Sequence, residues 1–326
     1  MFQGFCQKLE KNDIRFKYTM LPLTPLPEEI STFYLELDLS KLHKTAKPDQ
    51  DQALLEKQFR FWTLKKSENE GVKIKVKALG YESSISTITS SKTVKRNGED
   101  VKIPIWSAKI TYRYPLKYEV YLPGAATPFM SGIEGKEYSA LHTSYFESEG
   151  EAMNASASGI TLSSLYSGRQ SLFSKESKGI GRRIMTEIDF PQASHGIEIL
   201  TLKKHKKFMY PELDKAFSIA QEAFVFYKAE DKSMPAECRE KLSESIEIWN
   251  KSLDQFEPNN KKARVNDKIA GAIYQNLFIC YTLMHEFDQA AEIKNTADSK
   301  VKGQSIDRMW LSDYEDRKKR VAANPS

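Results

Sequence analysis

The hydrophobic period of the chain changes once, near residue 208, and this change constrains the fold more than any other feature. Over residues 13–121, apolar and polar residues alternate, as in the stretch 72–76, which reads VKIKV. Such alternation is typical of antiparallel strands with one face on a core and the other in water. From Pro211 onward, apolar residues recur at the helical period of about 3.6 residues. The sequence therefore predicts an α+β chain, with a sandwich-like antiparallel β-rich region followed by a helical domain.

The segment between these two regions has a different composition. Of the 36 residues in 147–182, 14 are Ser or Gly, a composition that buries little surface and is typical of loops and lids. Strand-like patterns at 184–190 and 197–202 then close the β-rich region. The predicted boundaries are 7–146 for the β-rich domain, 147–208 for the Ser/Gly-rich excursion with its closing strands, and 209–326 for the helical domain.

The first six residues, MFQGFC, are apolar and are followed at once by a polar stretch. Signal peptides end in an apolar segment with small residues at positions −3 and −1 of the cleavage site. Gly4 and Cys6 occupy those positions if cleavage precedes Gln7. We interpret residues 1–6 as the remnant of a signal peptide and predict a periplasmic, secreted or cell-surface location in a Gram-negative bacterium. The alternative is a cytosolic N-terminus that happens to be apolar.

The charge argues against binding to nucleic acid, and the hydropathy argues against a membrane-spanning segment. The net charge is +5, with a surplus of seven positive charges in residues 1–208 and of two negative charges in 209–326. Nucleic-acid-binding domains carry a much denser basic patch, so no nucleic-acid partner is predicted. No apolar run reaches the ~18–20 residues that cross a bilayer, so no transmembrane segment is predicted in the mature chain.

The sequence contains no recognisable catalytic motif. Its five histidines are scattered without the spacing of metal ligands, and neither a Gly-x-Ser-x-Gly elbow nor a Walker phosphate loop occurs. We therefore predict a protein that is not an enzyme and has no catalytic residues, no metal and no cofactor.

The helical domain resembles the tetratricopeptide repeat family, whose repeats are helical hairpins with large apolar residues on the first helix and small residues on the second. Tyr274, Leu277 and Tyr281 have the spacing of the first-helix positions. The residues with second-helix spacing are Phe287, Ala290 and Ala297. Trp249 and Ser252, which precede the turn at Pro258-Asn259-Asn260, match an earlier repeat. The resemblance covers about a third of the chain and implies stacked helical hairpins that bind another protein; the alternative is a helical bundle that only caps the β-rich domain.

Two of the three cysteines lie on apolar stripes of neighbouring predicted helices. Cys238 is near the start of one helix and Cys280 is near the end of the next, so antiparallel packing would place them at similar heights. We expect their Cα atoms to approach, within the ~4.4–6.8 Å that permits a disulfide. The alternative is a pair of buried free thiols acting as small apolar side chains.

These observations predict a non-enzymatic exported protein whose helical domain mediates protein–protein interaction, with a protein as its partner. The alternative is an envelope carbohydrate-binding protein or hydrolase that uses aromatic residues of the β-rich region. Those aromatic residues are Trp62, Trp106, Tyr112, Tyr114, Tyr118 and Tyr121.

Overall fold

A computed structural model describes residues 8–41, 48–157, 159–203, 208–303 and 305–325. The predicted signal-peptide remnant, residues 1–6, lies outside them. The strands are β1 (Leu9–Thr19), β2 (Thr32–Asp38), β3 (Lys65–Lys66), β4 (Val72–Ala78), β5 (Glu82–Arg96), β6 (Glu99–Arg113), β7 (Leu116–Tyr121), β8 (Met130–Glu134), β9 (Ser139–His142) and β10 (Gln192–Leu202). The helices are α1 (Pro48–Glu56), α2 (Glu149–Ser156), α3 (Gly159–Ile188), α4 (Pro211–Ala223), α5 (Ala236–Leu253), α6 (Asp267–Leu283), α7 (Phe287–Lys300) and α8 (Arg308–Ala323).

The predicted α+β class is confirmed, because the N-terminal part is rich in strands and helices α4–α8 form the C-terminal part. The division into compact units differs from the predicted boundaries. One unit, called here the helical unit, combines residues 1–25 with residues 186–326, and the other, the sheet unit, is formed by residues 26–185. The sheet unit is therefore an insertion between the first strand and the remainder of the helical unit.

The helical unit has a two-stranded ribbon on its helices. Strand β1 pairs with β10 in antiparallel register from Leu9 opposite Leu202 to Thr19 opposite Gln192. The alternation of the ribbon places its apolar residues on one face, where they join the core formed by α4–α8. The inward-facing apolar residues are Ile14, Phe16, Ile197 and Ile199, each at most 6% exposed.

The last helix of this unit binds the two segments at which the chain leaves and re-enters it. The Arg320 guanidinium on α8 donates to the carbonyl oxygen of Leu21 at 2.6 Å and to that of Thr186 at 3.0 Å. The Asn324 amide donates to the carbonyl oxygen of Pro22 at 2.8 Å. Arg320 is only 7% exposed, so its five donors must be satisfied within the protein.

The sheet unit contains two sheets. The first has the order β3-β2-β4-β7-β8, and β2 pairs in parallel with both β3 and β4, which requires the crossover that contains α1. The sheet is therefore mixed, where the sequence predicted only antiparallel pairing. The second sheet has the antiparallel order β5-β6-β9. The alternation in β4 is confirmed, since Val72, Ile74 and Val76 are fully buried.

The Ser/Gly-rich segment is helical, although its composition predicted a loop, and the strand predicted at 184–190 is wrong because residues 184–188 continue the same helix. The segment forms α2 and most of the 30-residue helix α3. Phe173, Ile180 and Ile184 lie on one side of α3 and are fully buried, so helical spacing of the apolar residues outweighs the unfavourable propensity of Gly and Ser. Glycine also has a packing role, because a methyl group at Gly181 would lie 2.6 Å from the carbonyl oxygen of Gln58.

Substitution Gly181→Ala is expected to destabilise the protein by ~1–3 kcal/mol, because a Cβ atom so close to the Gln58 backbone forces α3 to shift. Gly179→Ala is the matched control on the same helix. Its added methyl group would lie 3.6 Å from a Glu134 carboxylate oxygen, an ordinary contact, and alanine raises helix propensity by up to ~1 kcal/mol. Urea unfolding measures both effects, and equal stability of the two variants would contradict the packing role of Gly181.

Candidate functional site

The residues that suggested helical repeats lie in the core of the helical unit. Helix α4 packs on α5, and α6 packs on α7. The suggested residues are buried or half-buried on these helices: Trp249 and Ser252 on α5, Tyr274, Leu277 and Tyr281 on α6, and Phe287, Ala290 and Ala297 on α7. Ala290 and Ala297 are at most 2% exposed, as expected of small residues that allow close helix packing. The likeness to tetratricopeptide repeats remains a prediction.

The chain's own strand β10 packs against both α4 and α6. Asn276 of α6 fixes this contact, because its amide accepts from the Leu200 N–H and donates to the Leu200 carbonyl oxygen, both at 2.9 Å. Asn276 is 1% exposed, so both polar ends of the amide are satisfied by the backbone of one residue. The helical unit thus binds an extended strand on these helices, and that strand is its own.

Cys238 and Cys280 are both free thiols in this structure, the second of the two alternatives left open by the sequence. Both are fully buried in the same core, where they pack as small apolar groups without a covalent bond. Burial raises the pKa of the Cys238 thiol to about 12. Burial also raises the pKa of Cys280, and the neighbouring Cys238 adds to that rise.

A cluster of titratable residues lies where α8 meets the ribbon. Asp313 accepts from the Arg317 guanidinium at 2.8 Å and lies 3.7 Å from the Nε2 atom of His195. The His195 ring contacts Phe16 and Trp310 edge to face. Burial, with a contribution from Arg317, lowers the pKa of His195 to about 4, although Asp313 opposes the shift. His195 is therefore neutral at pH 7.

The cavity beside this cluster is small. It is lined by Tyr18, Tyr227, His285, Arg317 and neighbouring residues, and its volume is about 20 Å³, about the space of one water molecule. Burial, followed by the charges of Arg317 and Arg239, lowers the pKa of His285 to about 4. The described lining offers no room for a substrate, and we assign the cluster a structural role.

The aromatic residues proposed as a carbohydrate-binding surface do not lie together on one exposed surface. Tyr114 and Tyr118 are buried in the sheet unit, at 1% and 3% exposure, whereas Trp62 is 57% exposed. Trp106, Tyr112 and Tyr121 are half-buried. Tyr114 packs edge to face on Phe173 of α3 at 5.3 Å, so it belongs to the core.

The two longest strands of the described chain, β5 and β6, are each 15 residues long and form a hairpin in the sheet unit. Asn97 and Gly98 form its two-residue turn with positive φ angles of 52° and 86°, the geometry for which Asn-Gly is favoured. Strand β9 pairs with β6 only at residues 109–112, and Trp106 bridges to Phe146. Among the described residues, the rest of the hairpin has no third strand. We call residues 86–105 the arm.

The two edges of the arm differ in their ability to accept another strand. Trp106 exchanges backbone hydrogen bonds with Phe146, at 2.8 and 2.7 Å, on the side of β6 away from β5. Backbone groups of alternate residues point to the same side of a strand, so the backbone nitrogen of residue 104 also points outward. Residue 104 is proline, which has no N–H to donate. Proline at such a position protects an edge from strand addition.

The β5 edge carries no such protection in its centre. Thr89 is opposite Trp106 in the register, so the backbone N–H and C=O of Thr89 point away from β6. The same holds for the alternate residues Thr87, Ser91 and Thr93. No backbone partner of these four residues occurs within the described part of the chain. The β5 edge therefore presents a row of outward-pointing backbone N–H and C=O groups, flanked by the small side chains of Thr and Ser.

The two faces of the arm differ in composition, since its apolar side chains lie on one face, interspersed with Ser and charged residues such as Lys92. The register places five side chains on the same face of the hairpin, and they range from half-buried to exposed. This apolar stripe consists of Ile88, Val94, Val101, Ile103 and Ile105. The arm was not predicted above, although Asn97-Gly98 between two alternating stretches is a strong hairpin signal.

No group of three or more His, Cys, Asp or Glu side chains that could hold a metal ion occurs among the described residues. Within the same residues, no helix is long and apolar enough to cross a bilayer.

Comparison with known proteins gave little similarity. A scan against protein-family models and a search of curated proteins found no match. Among solved structures, the chain is similar to a minor lipoprotein from Acinetobacter baumannii, with 11% identity and a TM-score of 0.21. The match covers 51% of this chain and 99% of the lipoprotein chain. A TM-score this low does not establish a common fold.

Substitution Asn276→Leu is expected to cost ~1–3 kcal/mol, because it leaves the buried Leu200 N–H and C=O without their partners. Thr282→Val on the same helix is the matched control. The Thr282 hydroxyl is buried and has no hydrogen-bond partner among the residues that the structure describes, so its removal should leave stability equal or higher. Urea midpoints measure both changes, and an undiminished midpoint for Asn276→Leu would contradict the strand-binding role of Asn276.

The two buried histidines make stability depend on pH. Because their pKa values fall from 6.5 to about 4 on folding, the unfolded chain binds protons first as the pH is lowered. This contribution to the free energy of unfolding is complete above pH 6.5 and is lost progressively as the pH falls towards 4.

Urea midpoints measured between pH 6.5 and 5 should therefore fall with pH, and His195→Gln should flatten that slope. The exposed His142 provides the control variant His142→Gln. A slope that is the same in both variants would show that His195 does not carry the effect.

Proposed function

We propose that the protein is a non-enzymatic interaction protein of the bacterial envelope that binds an extended protein strand along the β5 edge of the arm. The observation that carries the proposal is the asymmetry of the arm, whose β6 edge contains Pro104 and whose β5 edge has outward N–H and C=O groups. Strand addition to an open edge uses backbone hydrogen bonds for affinity and side-chain contacts for specificity.

The apolar stripe also favours the addition of a strand along the β5 edge. A strand added beside β5 would extend the apolar face over a third strand, and its own apolar side chains would pack beside Ile88 and Val94. The tip of β5 carries Lys92, Lys95 and Arg96, which favours a strand with acidic residues at the corresponding end.

The proposed binding site is on the arm, whereas the sequence predicted that the helical domain binds the partner. Strand β10 already packs on α4 and α6, which leaves less of these helices for a partner. Along the sequence, the sheet unit that carries the arm is inserted into the helical unit. The periplasmic or cell-surface location is part of the proposal and rests on the sequence; cell fractionation of the native host tests it.

The proposal predicts that Thr89→Pro weakens partner binding. The Thr89 N–H points away from β6, so proline removes a donor of the open edge without removing a bond of the hairpin. We expect at least about a tenfold loss of proteins captured from envelope extract on the tagged full chain, which corresponds to about 1.4 kcal/mol.

Lys102→Pro is the matched control, because residue 102 points outward on the β6 edge that Pro104 already interrupts. Its capture should equal that of the unmodified chain, and circular dichroism should show both variants folded. Equal capture by all three proteins would overturn the proposal.

A further inference from the structure

We infer that the strand bound by β5 is the β5 strand of a second copy of this chain, paired antiparallel about a two-fold axis at Thr89. This inference rests on the proposed function and names the partner. Thr89 is the middle residue of the 15-residue strand β5, so this axis overlaps the two strands over their full length.

The backbone of β5 fits such a pairing. An axis at Thr89 places Thr89 opposite its own copy, Thr87 opposite Ser91 and Ile85 opposite Thr93. Each of these residues has its N–H and C=O directed away from β6. Every outward residue therefore meets an outward residue, and each pair can exchange two backbone hydrogen bonds. The paired side chains are mainly Thr and Ser, which pack well across strands.

The charges of β5 favour the antiparallel direction. Glu82 begins the strand, whereas Lys92, Lys95 and Arg96 lie near its end. Antiparallel pairing about Thr89 places Glu82 opposite Arg96 of the second copy, and parallel pairing would place the cations beside one another. The Glu82 side chain is 46% exposed although it binds Arg113, so it remains accessible to a second cation.

The protected β6 edge limits the assembly to two copies. A hairpin with two open edges could add copies without end, as aggregating sheets do. In the arm, Pro104 interrupts hydrogen bonding on the β6 side. Pairing through β5 alone uses the same surface of both copies and closes as a dimer.

The experiment measures the mass of the full chain by sedimentation at high micromolar concentration. The unmodified chain and Lys102→Pro should have twice the monomer mass, whereas Thr89→Pro should have the monomer mass, with a dimer dissociation constant raised at least about tenfold. A monomeric unmodified chain would overturn the inference, and so would a dimer that Thr89→Pro leaves intact.

Cysteine cross-linking tests the register in a chain in which Cys6 is replaced by Ser. Thr89→Cys should form a disulfide-linked dimer under mild oxidation, because hydrogen-bonded antiparallel neighbours have Cα atoms about 5.5 Å apart. Thr93→Cys is the control, because its own copy would lie eight residues away along the strand, roughly 27 Å. Equal cross-linking of the two variants would overturn the register.

The two proposals fail in different ways. A monomer that captures another protein, with that capture lost in Thr89→Pro, would overturn the second copy as partner and leave the proposed function standing. A monomer that captures nothing through β5 would overturn both.

Discussion

Pairing of β1 with β10 is the constraint on which the rest of the structure depends. The two strands are separated in the sequence by the whole sheet unit, yet they form eleven consecutive register pairs. A two-stranded ribbon alone is only marginally stable in water. This ribbon is stable because its apolar face completes the core of the helices and because Asn276 holds the Leu200 backbone.

This pairing also explains why α8 binds two distant segments. Once β1 and β10 are aligned, the chain leaves the ribbon after Thr19 and re-enters it near Pro191, and the Met20 N–H donates to the Pro191 carbonyl oxygen at 2.9 Å. The backbone carbonyls near these crossings need donors. Arg320 and Asn324 supply them, and the buried guanidinium is satisfied in return.

Local sequence patterns predicted the strands and helices of this fold better than they predicted which strands pair with one another. The alternation in 72–76 predicts a strand, and the apolar spacing from Pro211 onward predicts a helix. Both patterns are local to one segment, and both predictions are confirmed. Nothing in residues 9–19 indicates that their partner begins at Gln192. At α3 the Ser/Gly-rich composition wrongly predicted a loop, because the helical spacing of Phe173, Ile180 and Ile184 determines the structure. The open edge of the arm could not be predicted, because it depends on which distant segment pairs beside the hairpin, and β9 joins β6 rather than β5.

The insertion has a consequence for the order in which the chain folds during synthesis. Domains generally fold as they emerge from the ribosome, N-terminal parts first. Here strand β1 has no partner strand until β10 has been translated, and its apolar face is not covered until the helices follow. The sheet unit has by then been completely synthesised. Strand β1 therefore stays unpaired until Leu202 has been made, at roughly 60% of the 326 residues, and a chaperone that binds its apolar face during that interval would prevent it from pairing with a wrong strand.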